Sequence, residues 1–378
     1  MKRFKLMIPG PVELSDRVLR TMAQPVMGHR TPDFEAYLEE CWDGLREVYK
    51  TKNDIVLITG SGTAGMDAAV ASTVGEGDEY VCIGGGKFGE RFYGIVEGYG
   101  GRVRKIEVKW GEAVDPNAVE EAVEGSDAKA ITLTHNETST GVIHDAEAIG
   151  RIARKHDLLF IVDAITSLGG DNVETDGWGV DLCISGSQKC LAAPPGLAMV
   201  SVSERSWEVV EKNRTKNYYL NLASYEKSLQ KRTTPFTPSV SLIFGLRAAL
   251  EDLKEEGLEN RIRRHRRTAR ACRAGVKAMN LSLLPSEEVA SSTLTAILAP
   301  EGINADTIRK KVKEHGYAFA GGQEHLKGRV FRIGHMGNID GRDLLSALDS
   351  LEKVLGNLGH EFESGSGVRA AKDVLVGD

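Results

Sequence analysis

The chain has five cysteines in 378 residues, an odd and scattered set (Cys41, Cys82, Cys183, Cys190, Cys272) with no CxxC spacing. That pattern supports neither a disulfide framework nor a zinc site. No stretch approaches the roughly 20 apolar residues of a membrane span. The opening Met1-Lys2-Arg3-Phe4-Lys5-Leu6-Met7-Ile8-Pro9 lacks the apolar run of a signal peptide. A basic excess is missing too: the formal charge is −6, the wrong sign for a protein organised around nucleic acid. The expectation is a cytoplasmic protein with no membrane or nucleic-acid partner.

What remains is an ordinary globular balance, 41% hydrophobic and 27% charged, in a chain long enough for two domains. One dense basic run, Arg261-Ile262-Arg263-Arg264-His265-Arg266-Arg267, continues to Arg270 and Arg273 just after the acidic stretch Glu251 to Glu259. It reads as a solvated, salt-bridged helix face.

After Ile8-Pro9-Gly10-Pro11, a turn-rich lead-in, apolar residues recur at helical spacing from Pro32 to Lys50. Short apolar runs then alternate with helical stretches. Strands are predicted at Ile55–Thr59, Glu79–Ile83, Val103–Val108, Ala130–Thr134, Leu158–Asp163, Leu182–Ser185 and Leu197–Val202. Near-continuous apolar strands separated by helices predict an α/β fold with a mostly parallel seven-stranded sheet covered on both faces. From Leu242 towards Met279 a long helical region is broken at Gly257. Strands at Thr293–Leu298, Tyr317–Ala320 and Val330–Ile333 follow, with helices at Ala305–His315 and Arg342–Leu355, giving a smaller α+β domain. The division is residues 1–245 for the large domain with an N-terminal arm 1–30, 246–360 for the small domain, and a loosely attached tail 361–378.

Ligands of such sheets bind in loops beyond the carboxyl ends of strands. Thr59-Gly60-Ser61-Gly62-Thr63-Ala64-Gly65 lies between a strand and a helix and suits a phosphate. It also matches GxGxxG, but the next strand ends at Ile83-Gly84-Gly85-Gly86 without the carboxylate a dinucleotide fold requires. Asp163 closes a buried strand; alone, it is equally accounted for by capping a loop amide. Lys189, in Ser185-Gly186-Ser187-Gln188-Lys189, follows 26 residues later at the same sheet edge; alone, it reads as an exposed lysine. Together the three groups are what pyridoxal 5′-phosphate (PLP) demands: an amine for the imine, a carboxylate for the ring nitrogen, and a helix start for the phosphate.

At this point the sequence resembles the class V aminotransferases, in the alanine–glyoxylate, serine–glyoxylate and serine–pyruvate branch. The resemblance spans nearly the whole chain. It rests on Pro9-Gly10-Pro11, Gly28-His29-Arg30-Thr31-Pro32, Gly60-Ser61-Gly62-Thr63, Thr134-His135-Asn136-Glu137-Thr138-Ser139-Thr140-Gly141, Val162-Asp163-Ala164, Ser185-Gly186-Ser187-Gln188-Lys189, Ala193-Pro194-Pro195-Gly196 and Arg332-Ile333-Gly334. It implies PLP-dependent transferase fold type I and a PLP cofactor held as a Schiff base on Lys189.

The resemblance further implies that Ser61, Gly62, Thr63 and Gln188 contact the phosphate. Phe88 stacks on the pyridine, where the family often has tryptophan. Thr138 bonds the ring hydroxyl, and Asp163 pairs with the ring nitrogen. Lys189 carries the proton at the substrate Cα, and Arg332 clamps the substrate carboxylate. Thr237 reaches the neighbouring subunit's phosphate in a homodimer whose active sites lie at the interface. No role is assigned to His29 or His135. The implied substrates are a small L-amino acid (alanine or serine, then aspartate) with glyoxylate or pyruvate, in ping-pong turnover.

Phosphoserine and aminoethylphosphonate aminotransferases are the alternatives, and they need further cations for a phosphorus group. Cysteine desulfurase needs a nucleophilic cysteine on a small-domain loop, and this chain has none after Cys272.

Overall fold

The computed structural model describes residues 4–377 apart from 214 and 216, so the first three residues of the opening stretch and Asp378 of the tail lie outside it. In chain order the strands are β1 (Lys5–Met7), β2 (Asp54–Thr59), β3 (Glu79–Ile83), β4 (Arg102–Ile106) and β5 (Ala128–Thr134). The two-residue strands β6 (Asn136–Glu137) and β7 (Val142–Ile143) follow, then β8 (Leu159–Asp163), β9 (Leu182–Gly186) and β10 (Leu197–Val202). The last three are β11 (Leu294–Leu298), β12 (Tyr317–Gly321) and β13 (Val330–Gly334).

Seven strands form the main sheet in the order β2-β10-β9-β8-β5-β3-β4. Its pairs are parallel except that β10 runs antiparallel to both β2 and β9. Every residue of β8, β9 and β10 is buried, because helices cover both faces and no face is left for polar alternation. At one edge β4 reads Arg-Val-Arg-Lys-Ile and is largely exposed, the charged composition that keeps an open edge from pairing further. The amphipathic helix Pro32–Tyr49 starts with proline in its first turn and Thr31 accepting from Phe34 N. It buries Phe34, Leu38, Trp42 and Leu45. Gly257, at φ +80°, separates the helices Val240–Glu256 and Leu258–Ala278, as the sequence predicts.

The second sheet has the order β1-β12-β13-β11. Its first strand comes from the N-terminus: Lys5–Met7 pairs parallel with Tyr317–Phe319. A three-residue strand offers no periodicity to read, and the opening residues thus join the C-terminal unit instead of forming only an arm of the first.

Two further expectations are corrected. Residues 361–377 are not loosely attached. The helix Ser366–Gly377 packs on Leu258–Ala278 with Gly367 and Ala371 buried. Glu352 accepts from the amides of Gly365, Gly367 and Val368. Glycine allows this approach, since a Cβ on Gly367 would lie 2.8 Å from Met279 Cγ. The basic run is solvated only in part, at Arg263, Arg266 and Arg270. It is salt-bridged, but Arg261 is 2% exposed and donates to Cys190 O and Glu256. Arg264 reaches Glu256, Gly337 O and Ile339 O, and Arg266 reaches Asp171. The helix thereby reaches loops on both units, at Asp171 and Cys190 on one side and Gly337 and Ile339 on the other.

Candidate active site

The glycine loop follows β2, and its helix Gly62–Thr73 begins with Ser61 as N-cap residue, whose side chain makes no capping bond. The first-turn amides of such a helix have no intrahelical partner and favour an anion. Each glycine has a steric reason. A Cβ on Gly62 would lie 2.5 Å from Ile165 Cδ1, and one on Gly65 would lie 2.8 Å from Ile184 Cγ2. The first keeps space open at the helix start; the second lets the helix lie close on the sheet.

Asp163 ends β8, 4% exposed. Its Oδ1 accepts from Ile165 N at 2.9 Å and its Oδ2 lies 3.4 Å from Thr134 Oγ1. Burial, with the charge of Glu137 adding to it, pushes its pKa up to about 6. Lys189 follows β9 and donates from Nζ to the carbonyl of Pro9. Burial lowers its pKa to about 8, with Arg332 and Arg91 acting in the same direction. Gly10 has φ +82°, and a Cβ there would lie 2.5 Å from Lys189 Cδ. The Pro9-Gly10-Pro11 segment therefore lies directly against the lysine side chain.

Both groups line one cavity of about 180 Å³. Ser61, Gly62, Thr63, Phe88, Thr138 and Gln188 line it with them, so eight of the expected residues converge. Two do not line it. Arg332, 6% exposed, is tied to it through Thr138, whose carbonyl it holds. Thr237 is exposed, 3.4 Å from His29 Nε2. His135 is a buried packing residue, 2.9 Å from Ser167 Oγ and edge-on to Trp178, with burial lowering its pKa to about 4.

Sequence reasoning missed Arg91, Asn136, Ile165 and Thr166, which also line the cavity. Arg91 Nη1 donates to Thr63 Oγ1 at 2.9 Å, and its guanidinium carbon lies 4.8 Å from the centre of the Phe88 ring. For Ile165 the available signal was spacing, two residues after Asp163; Arg91 carried none.

Residues 17–334 match the family described as aminotransferase class-V. The chain belongs to the class V aminotransferases. It is 46% identical to an uncharacterized aminotransferase of Methanocaldococcus jannaschii, over 98% of this chain and 97% of that one. It is 43% identical to a protein of Synechococcus named soluble hydrogenase, small subunit, over 98% of both. It is 35% identical to the L-aspartate–glyoxylate aminotransferase of Paracoccus denitrificans, over 97% and 95%. Among solved structures it matches ureidoglycine–glyoxylate aminotransferase of Bacillus subtilis with a TM-score of 0.96 at 35% identity, covering 99% of this chain and 98% of that one.

This class V aminotransferase is accordingly a PLP-dependent enzyme, and its cavity fits the cofactor. Among the described residues Gln188 Oε1 and Asn136 Oδ1 are buried without a protein partner although both residues line the cavity; such atoms are costly unless a ligand or water serves them, and turning the Gln188 amide presents its NH2 to a phosphate. The orientation of Asn136 is determined. Thr166 Oγ1 donates to Asn136 O at 2.9 Å, so it can only accept from Asn136 Nδ2, which also reaches Thr166 O and Thr293 Oγ1. The oxygen is left as a pure acceptor.

Proposed function

We propose that the enzyme moves an amino group from a small L-amino acid, alanine or serine first and then aspartate, to glyoxylate or pyruvate in ping-pong turnover. The observation that carries the reading is the convergence of Lys189, Asp163 and the helix start at Gly62 on one cavity. PLP supplies an aldehyde that condenses with amines and a ring that withdraws electrons from the substrate Cα.

The chain's residues do the rest. Ser61, Gly62, Thr63 and Gln188 would hold the phosphate, Phe88 would stack on the ring, and Thr138 would bond its hydroxyl. Asp163 would hold the proton of the ring nitrogen. The lowered pKa of Lys189 makes its Nζ a competent nucleophile at neutral pH and a proton carrier at the substrate Cα.

Arg332 takes the substrate carboxylate. Nε and Nη2 donate to Gly321 O at 2.9 and 2.6 Å, and Nη1 donates to Thr138 O at 2.6 Å. Three of the five N–H groups of a guanidinium are thus occupied. One remains on each terminal nitrogen, a fork suited to a carboxylate. Glyoxylate as acceptor is supported by the names of the Paracoccus and Bacillus relatives.

A homodimer with the active sites at its interface is part of the proposal. Support comes from Thr237, which is exposed and away from its own cavity, and from Val26 and Tyr218, 69% and 83% exposed.

Incubating the purified holoenzyme with single amino acids and following the cofactor absorbance tests the substrate assignment. Conversion by glutamate alone, with none by alanine, serine or aspartate, would overturn it.

A further inference from the structure

The sequence Ile83-Gly84-Gly85-Gly86-Lys87-Phe88-Gly89 wraps around a carboxylate that comes from another strand. Glu137, 1% exposed, accepts from Phe88 N and Gly89 N through Oε2, each at 2.9 Å. Through Oε1 it accepts from Ser139 N at 2.9 Å and Ser139 Oγ at 2.6 Å. Ser139 Oγ in turn accepts from Lys87 N at 3.0 Å. Three consecutive amides of the loop that carries Phe88 therefore end on two side chains of one short segment.

Backbone N–H groups can only donate, so this shell favours the ionised carboxylate against the burial that raises its pKa. The glycines make it sterically possible: a Cβ on Gly86 would overlap Cγ and Cδ of Glu137. The residue between the two holders is Thr138, whose side chain faces the cavity and whose carbonyl holds Arg332.

We infer that Glu137 is a positioning residue that sets the Phe88 ring against the cofactor by anchoring the loop amides of Phe88 and Gly89. It touches no substrate and acts through Phe88, so the inference rests on the stacking role proposed for that ring. Losing hydrogen bonds to a charged acceptor while leaving donors buried is expensive, and the loop can recover by turning its amides to water only if the ring moves with them.

The experiment compares Glu137→Gln, Ser139→Ala and Phe88→Ala in the full chain, reading the dissociation constant for PLP and the visible circular dichroism of the bound cofactor. Far-ultraviolet circular dichroism and Tm report the fold. Glu137→Gln is expected to weaken PLP about tenfold and to reduce the induced visible band by about half or more at full occupancy, as Phe88→Ala does. Ser139→Ala, which keeps the charge but removes one donor and the Lys87 acceptor, is expected to give a smaller change in the same direction, and it carries the test if Glu137→Gln does not fold. Folded Glu137→Gln or Ser139→Ala with the wild-type band and affinity, while Phe88→Ala alters both, overturns the role of Glu137 alone. No change in Phe88→Ala overturns the stacking role and this inference with it.

Discussion

Arg332 Nη1 donates to the carbonyl oxygen of Thr138 at 2.6 Å across 194 residues of sequence, so the second sheet is fastened to the wall of the cavity at the residue that faces it. Replacing the fork with a point charge at this position tests its use. Lysine cannot hold both carbonyls and still present two parallel N–H groups. Arg332→Lys is expected to lower kcat/KM for the amino donor about 30- to 1000-fold, on the order of 2–4 kcal/mol, chiefly through KM. Steady-state kinetics with several donors check this; an unchanged KM for all of them removes Arg332 from substrate binding.

The two perturbed groups at the sheet edge give opposite pH signatures. Lys189, lowered to about 8, is neutral over a wider range than an ordinary lysine. The rate at which cofactor-free protein takes up PLP should therefore rise towards pH 8 and level off there. A rise that continues to about pH 10 in stopped-flow absorbance would mean an unperturbed amine.

Asp163 is raised to about 6 from 3.8. In the cofactor-free protein its contribution to stability is fully present below 3.8 and is lost as pH rises through 6, since the folded state holds the proton more tightly than the unfolded chain. Asp163→Asn removes that loss. It is expected to raise Tm of the cofactor-free protein by a few degrees at pH 7 to 8 and to weaken PLP binding sharply. Calorimetry against pH reads the first and titration with PLP the second; a lower Tm with unchanged affinity would contradict both.

Gly10→Ala tests the contact between the N-terminal segment and the lysine. The substitution forces a side chain into φ +82° and puts its Cβ 2.5 Å from Lys189 Cδ, a backbone cost of about 1–2 kcal/mol before the clash. Slower PLP uptake and a shifted cofactor absorbance are expected, with little change in far-ultraviolet circular dichroism. Wild-type uptake would show that the segment yields freely.

Removing residues 361–378 should destabilise the protein. It uncovers the face of the helix Leu258–Ala278 that Gly367 and Ala371 pack against, and it strips Glu352 of three amide donors. Each lost hydrogen bond to the charged carboxylate costs at most about 1.5–3 kcal/mol, less what water regains at the uncovered group. A fall in Tm of several degrees is expected by differential scanning calorimetry, and an unchanged Tm would return the tail to a loose appendage.

Much of the fold is legible in the chain because parallel strands buried on both faces write themselves as apolar runs. Leu197–Val202 lies at its expected limits, and Leu158–Asp163 and Leu182–Ser185 each differ by one residue from the observed strands. The antiparallel setting of Leu197–Val202 is not written there, since a strand's direction leaves no trace in its composition. Ser61, Asp163 and Lys189 were readable because strand ends mark where side chains can converge. Arg91 was not: an arginine at a helix start looks like any surface cation until Thr63 and Phe88 are seen beside it.

By itself the sequence determined the alternation of strands and helices, the lysine, the aspartate and the glycine loop that line one cavity, and the family to which the chain belongs. Only the tertiary structure decided that Lys5–Met7 closes the far sheet, that the basic run stitches two units together, and that Glu137 holds the Phe88 loop. The reason is physical. Periodicity and turn chemistry are local and survive in a linear string, whereas burial, close approach and the sharing of one carboxylate among distant amides exist only once the chain has folded back on itself.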